Sequence, residues 1–282
     1  MCDIINTITK KEIKKMKQFG IQLYSVRDHF TNAEDTKAAF KALAEMGYSY
    51  VHTAGAYSYM TPEEFAKAAS DAGISFCGTH YSFDAIKNDV EGTIAYHKAL
   101  GTTNIGIGGM PIPARESLEE LNKFIDEFNA SAKIYHERGY KLTYHNHSFE
   151  FKKCSDGKTI FDHLVEKLDP VCTSFVLDTY WVQHGGADVR ATIERLAGRI
   201  DILHLKDMEA CHKYPLVAGW TLEAPEIIEI GAGNINFKDI IPTAERCGVK
   251  YFVVEDDRCP EGRSFEVNKK SADYIIANLL EK

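Results

Sequence analysis

The chain has 282 residues, 44% hydrophobic and 26% charged, with a formal net charge of −8 and a pI near 5.8. That is ordinary globular composition with enough length for a large core and one or two domains. An acidic chain carries no general field to attract nucleic acid or an anionic membrane, and no apolar run approaches the roughly 20 residues of a membrane helix. Seven scattered cysteines without a CxxC pair, and a start lacking a basic-then-apolar leader, are expected of free thiols in a reducing cytoplasm.

Residues 10–18, KKEIKKMKQ, are basic and helical in propensity, so residues 1–18 are expected as a short N-terminal helix or arm, either solvated or used for binding. From residue 19 a rhythm sets in: short apolar β-branched runs alternate with helix-patterned stretches. Strands are expected at 19–24, 49–52, 74–80, 104–107, 141–147, 172–178, 200–205 and 251–255. The helices between them are expected near 33–46, from Thr61-Pro62, near 85–100, from Ser117 to about 138, then near 159–168, 188–197, 237–247 and 264–280. Thr61 followed by Pro62 reads as an N-cap with proline in the first turn, and Ser117-Leu118-Glu119-Glu120 as a capping box. The 207–236 connection is long and unassigned. Eight strand–helix units over 19–282 predict a single-domain closed (β/α)8 TIM barrel, rather than an open doubly wound sheet. No GxGxxG follows the first strand, and Gly106-Ile107-Gly108-Gly109 is not a Walker loop.

In such a barrel, chemistry belongs at the C-terminal strand ends. Five of the eleven histidines fall there: His52, His80, His145, His147 and His204. Glu150, Asp178, His204 and Glu255 come from four consecutive strands. Three carboxylates and an imidazole form a mostly hard ligand set suited to Mn²⁺, Mg²⁺ or Co²⁺, with Zn²⁺ or Fe²⁺ also compatible. Lys206, two residues after His204, shares its side of the strand and can serve a substrate oxygen or a salt bridge. His80, His147, Tyr24 and Trp181 are expected to contact substrate, with Tyr57, Tyr59 and Trp220 as further apolar walls or as plain packing.

These residues resemble the xylose-isomerase-like TIM-barrel superfamily of sugar isomerases and epimerases, which also includes inosose dehydratase and D-tagatose 3-epimerase. The resemblance covers 19–280 and is most specific in YHNHSFEF (144–151), LDTYWV (177–182), HLKDM (204–208), GAGNINF (231–237) and VVEDD (253–257). It implies a metal set of Glu, Asp, His and Glu from strands five to eight. The last three fall on Asp178, His204 and Glu255. On strand five this chain has His145 where the epimerases have Glu, and Glu150 lies five residues later. Either His145 ligates or Glu150 folds back and takes the place; Glu150 is favoured because it keeps the three-carboxylate set, and His145, Glu255 and Glu150 are the candidates for proton transfer. The implied activity is metal-dependent proton transfer next to a sugar carbonyl through an enediolate, giving isomerisation or epimerisation. The alternatives are a lyase or dehydratase acting on keto-sugars or 3-keto-glycosides, and a non-catalytic sugar-binding barrel. The expected partner is a small sugar, with no nucleic acid or membrane and with homo-oligomerisation left open.

Overall fold

The computed structural model describes residues 16–215, 221–258 and 262–281. Most of the basic N-terminal segment, and Trp220, lie outside the described residues.

The strands are β1 (Gly20–Gln22), β2 (Tyr50–Ala54), β3 (Ser75–His80), β4 (Asn104–Ile107), β5 (Lys141–His145), β6 (Thr173–Asp178), β7 (Ile200–Leu205), β8 (Asp207–Pro215), β9 (Thr221–Ile228) and β10 (Tyr251–Val254). The first seven and β10 form a closed barrel in which every neighbouring pair is parallel, and β1 closes it by pairing with β2 and β10. The helices are α1 (Ala33–Glu45), α2 (Pro62–Asp71), α3 (Phe83–Asn88), α4 (Val90–Leu100), α5 (Leu118–His136), α6 (Ile160–Lys167), α7 (Thr179–His184), α8 (Val189–Arg195), α9 (Phe237–Arg246) and α10 (Ser264–Asn278).

The expected single-domain barrel is therefore observed, with local differences that have local causes. Thr61 and Glu64 close a full capping box at α2. Ser117 caps α5 through Glu120 N, but the Glu120 carboxylate turns to Lys123 instead of completing a box. The helix expected near 85–100 is broken at Asp89, whose side chain accepts from Gly92 N and starts α4 afresh. The unassigned 207–236 connection contains an antiparallel hairpin, β8 with β9. Its base is pinned by Asp207, whose carboxylate accepts N–H groups from Met208, Gly231, Gly233 and Ile235. Gly233 is required there, because a Cβ would lie 2.4 Å from Asp207 Oδ1.

Strand periodicity determines what reaches the barrel interior. Successive side chains on a strand point to opposite faces, so residues two apart share one. Tyr50, Cys77, Val176, Ile202 and Val253 form a small apolar cluster of their own. Two residues further on from four of these come His52, Asp178, His204 and Glu255, all buried. Each of these strands thus changes from apolar to polar towards its C-terminal end. The paired register Asp178↔His204 sets two of these side chains abreast. Gly78 leaves room for the layer: a Cβ there would lie 2.8 Å from Ile202 Cδ1 and 3.1 Å from His52 Cδ2.

Candidate active site

His145, Asp178, His204 and Glu255 each place one nitrogen or oxygen so that all four atoms lie within 4.8 Å of one another. The side chains are deeply buried, from 0% exposed for Asp178 and His204 to 5% for Glu255. Their partners settle which atoms face the centre. His145 Nδ1 is 3.3 Å from Val176 O, and a carbonyl only accepts, so Nδ1 carries the proton and Nε2 keeps a free lone pair. His204 Nδ1 lies 2.8 Å from Glu255 Oε2 and 3.9 Å from Asp178 Oδ2, while its Nε2 lies 3.1 Å from His52 Nδ1. Asp178 Oδ1 accepts from Trp181 N, leaving Oδ2 turned inward. Two imidazoles fixed at their outer edges, with two carboxylate oxygens between them, suit a divalent ion. Opposite donors around such an ion at about 2.1 Å would lie about 4.2 Å apart, within the observed spread.

Lys206 sits beside this group. Its ammonium is 3.0 Å from Asp178 Oδ2, 2.9 Å from Glu255 Oε2 and 2.9 Å from Asp257 Oδ2. Burial alone would favour the neutral amine, but the three carboxylates outweigh it and hold Lys206 well above its ordinary value. Burial pushes the Glu255 carboxyl up, yet Lys206 and then His204 hold it well below the carboxylate range. Burial lifts Asp178 to about 6 against the pull of Lys206. The histidines go the other way. Burial, reinforced by neighbouring imidazoles, holds His145 and His52 well below 6.5 and takes His80 to about 3. Burial and Lys206 take His147 to about 4. These rings are neutral near pH 7, as metal-ligating or hydrogen-bonding imidazoles must be.

Above the group is a cavity of about 300 Å³ lined by Tyr24, Ala54, His80, Gly108, His145, His147, Glu255 and Asp257. Of the residues expected to contact substrate, Tyr24, His80 and His147 line this cavity, and Lys206 lies beside it against Glu255 and Asp257. Trp181 stands 5.3 Å from the His147 ring and 5.2 Å from Lys206 Nζ. Among the described residues, His80 Nε2, His147 Nδ1 and Trp181 Nε1 are buried without a hydrogen-bond partner. Tyr57 and Tyr59 are elsewhere: Tyr57 stacks on Phe65, and the Tyr59 hydroxyl bonds to Thr36.

Glu150, the expected strand-five ligand, is not brought into the group. Tyr144 faces outward from the barrel and packs against Phe124, Phe128 and Phe175. Glu150 folds back to that outer side, where Oε1 accepts from the Tyr144 hydroxyl at 2.7 Å and Oε2 from His147 N at 2.8 Å. Strand parity instead turns His145 inward. Asn146 braces the neighbouring strand by accepting from Asp178 N. Two site residues were missed by the sequence reasoning. Asp257 repeats the parity of Glu255, a signal that was available. Gln22, at the end of β1, places its amide nitrogen 2.8 Å from His52 Nδ1.

Fold and site together define a (β/α)8 barrel with a buried His/Asp/Glu group at its C-terminal rim. The chain belongs to the xylose isomerase-like TIM barrel family, whose model matches residues 40–275. A sugar phosphate isomerase/epimerase from Parabacteroides distasonis ATCC 8503 has the same fold with a TM-score of 0.77 at 25% identity, over 94% of this chain and 100% of that one. The probable 3-DHS dehydratase AsbF of Bacillus anthracis is a likeness of fold, with a TM-score of 0.66 at 15% identity over 93% of this chain and 99% of that one. An inosose dehydratase of Geobacillus thermodenitrificans is 28% identical over 164 residues, which are 56% of this chain and 54% of that protein. The match therefore spans about half the length of that curated relative. No helix among the described residues is long and apolar enough to cross a membrane.

Proposed function

We propose that the protein is a divalent-metal-dependent sugar isomerase or epimerase that moves a proton next to a sugar carbonyl. The observation that carries this is the buried group of His145, Asp178, His204 and Glu255 directly beneath a sugar-sized cavity. His145 then takes the strand-five ligand position through Nε2, and Glu150 serves as a brace. A divalent ion held there supplies Lewis acidity beside the carbonyl.

The chain's own groups do the rest. Glu255 and the neutral ring of His147 both line the cavity and are the proton acceptors within reach of a bound ketose. Return of the proton to the neighbouring carbon isomerises the substrate, and return to the opposite face of the same carbon epimerises it. His80 and Trp181 present unsatisfied N–H groups to hydroxyl or carbonyl oxygens, because an unmatched buried donor is worth filling. Asp257 holds Lys206 against the site.

The charge balance supports an uncharged sugar. Lys206 is already held by Asp178, Glu255 and Asp257, and Arg27 at the rim donates to the carbonyls of Tyr24 and Asp257. Lys206 is therefore not an unspent cation for a phosphate. A β-elimination, as the name of the inosose dehydratase relative suggests, shares the first proton removal and differs only in losing a leaving group. Incubation in deuterated buffer with free ketoses and with 3-keto-glucosides tests the reading. Exchange into a ketose at the carbon next to its carbonyl supports it. Release of water or an aglycone without exchange product sinks the isomerase assignment in favour of elimination.

A further inference from the structure

Gln22 is fully buried at the end of β1, inside the barrel. A buried amide needs partners for both its ends. Its oxygen accepts from Tyr24 N at 3.4 Å, and an N–H cannot be met by another N–H, so the amide's orientation is fixed. The nitrogen therefore faces two imidazoles, with His52 Nδ1 at 2.8 Å and His80 Nδ1 at 3.5 Å. An amide nitrogen only donates. Both Nδ1 atoms must then accept, and each ring carries its proton on Nε2. His204 fits the same arrangement when a divalent ion takes its Nδ1 lone pair: the proton then stands on Nε2, which lies 3.1 Å from His52 Nδ1.

The consequence falls on His80. Its Nδ1 edge is backed by Gln22 and by Gly108, where a Cβ would lie 3.4 Å from Nδ1. Its Nε2, across the ring, is buried without a partner, and His80 lines the cavity. We infer that Gln22 is a positioning residue that locks His80 as the Nε2–H tautomer, and that His80 donates this hydrogen bond to a substrate oxygen as a neutral electrophile. A fixed neutral donor stabilises charge developing on a carbonyl oxygen without giving up its proton, so it needs no reprotonation between turnovers. His52, His80 and His204 also lie close enough to hold an ion of their own. The amide of Gln22, however, places N–H groups where an ion needs lone pairs. The catalytic half of the inference rests on the cavity being the sugar site; the tautomer half does not.

The test separates the two. Protein labelled with ¹⁵N-histidine and loaded with diamagnetic Mg²⁺ is examined by long-range ¹H–¹⁵N correlation, with His80 assigned by its loss in His80→Gln. His80 and His52 are expected to carry the proton on Nε2. In Gln22→Met, His80 is expected to become a mixture of tautomers. Its kcat falls about 10–100-fold, as when an outer-shell partner is removed, while KM and metal content hold. His80→Leu is expected to lose about 100-fold in kcat, and His80→Gln, which keeps an N–H, to lose less. A wild-type spectrum with the His80 proton on Nδ1 overturns the inference, whether or not the variants fold. So does a Gln22→Met protein whose His80 tautomer is unchanged. Equal losses in His80→Gln and His80→Leu overturn the donor role alone.

Discussion

Glu150 offers a stability experiment whose sign and size follow from its surroundings. Its carboxyl is buried on the outer side of the barrel wall, and burial pushes it up to about 8, against the hydrogen bonds from Tyr144 and His147 N. A carboxyl raised in the folded state contributes fully to stability below its unfolded value and loses that contribution as pH climbs to the folded one. The window here runs from about 4.5 to about 8. At about 1.36 kcal/mol per pH unit the whole gap corresponds to about 5 kcal/mol, an upper bound once relaxation is allowed. Glu150→Gln removes the titration but keeps the shape. The amide oxygen can accept from His147 N, and the Tyr144 hydroxyl can rotate to accept from the amide nitrogen. Urea unfolding of both proteins from about pH 5 to about pH 8 should show the variant gaining on the wild type by several kcal/mol, mostly above pH 6. A difference that stays flat across this range would mean that the two hydrogen bonds keep the carboxylate ionised, and the burial argument would be refuted.

Three further outcomes follow from neighbouring contacts. Lys206→Met leaves three clustered carboxylates without their cation, so it should destabilise the protein by about 3–5 kcal/mol, and Mn²⁺ should restore more of the thermal midpoint than it adds to the wild type. Asp207→Asn loses the carboxylate that gathers four backbone N–H groups; it should cost about 2 kcal/mol and open the 207–236 segment to limited proteolysis while the barrel persists. Whichever ketose turns over, its phosphate ester should have at least a tenfold lower kcat/KM, measured side by side, because Lys206 is already held by three carboxylates. A phosphate ester that is preferred would contradict the charge balance at Lys206.

The barrel was legible because period-2 runs alternating with helix-patterned stretches are a local signal, repeated eight times. The ligand-capable strand ends were legible for the same reason: His204 near the end of its strand and Lys206 just past it, two residues apart, announce a shared face. Asp257 repeats that spacing from Glu255 and was passed over. The β8–β9 hairpin was not legible, since neither Glu209-Ala210-Cys211-His212 nor Glu223-Ala224-Pro225-Glu226 alternates apolar with polar residues. Glu150 lies outside the buried group for a physical reason. Ligand chemistry favoured a third carboxylate, but strand parity governs which way a side chain points, and it turns Tyr144 out and His145 in. The carboxylate then follows the tyrosine hydroxyl. Gln22 stood at a strand end, yet its partners, His52 and His80, lie 30 and 58 residues away, a relation no local pattern carries.

Elemental analysis after reconstitution and desalting, on His145→Ala and Glu150→Gln side by side, tests the metal centre most directly. Glu150→Gln is predicted to retain the wild-type content of divalent ion, and His145→Ala to lose it by at least about tenfold in affinity. A His145→Ala protein that stays fully loaded while Glu150→Gln is emptied would contradict the assignment of the centre to His145, Asp178, His204 and Glu255.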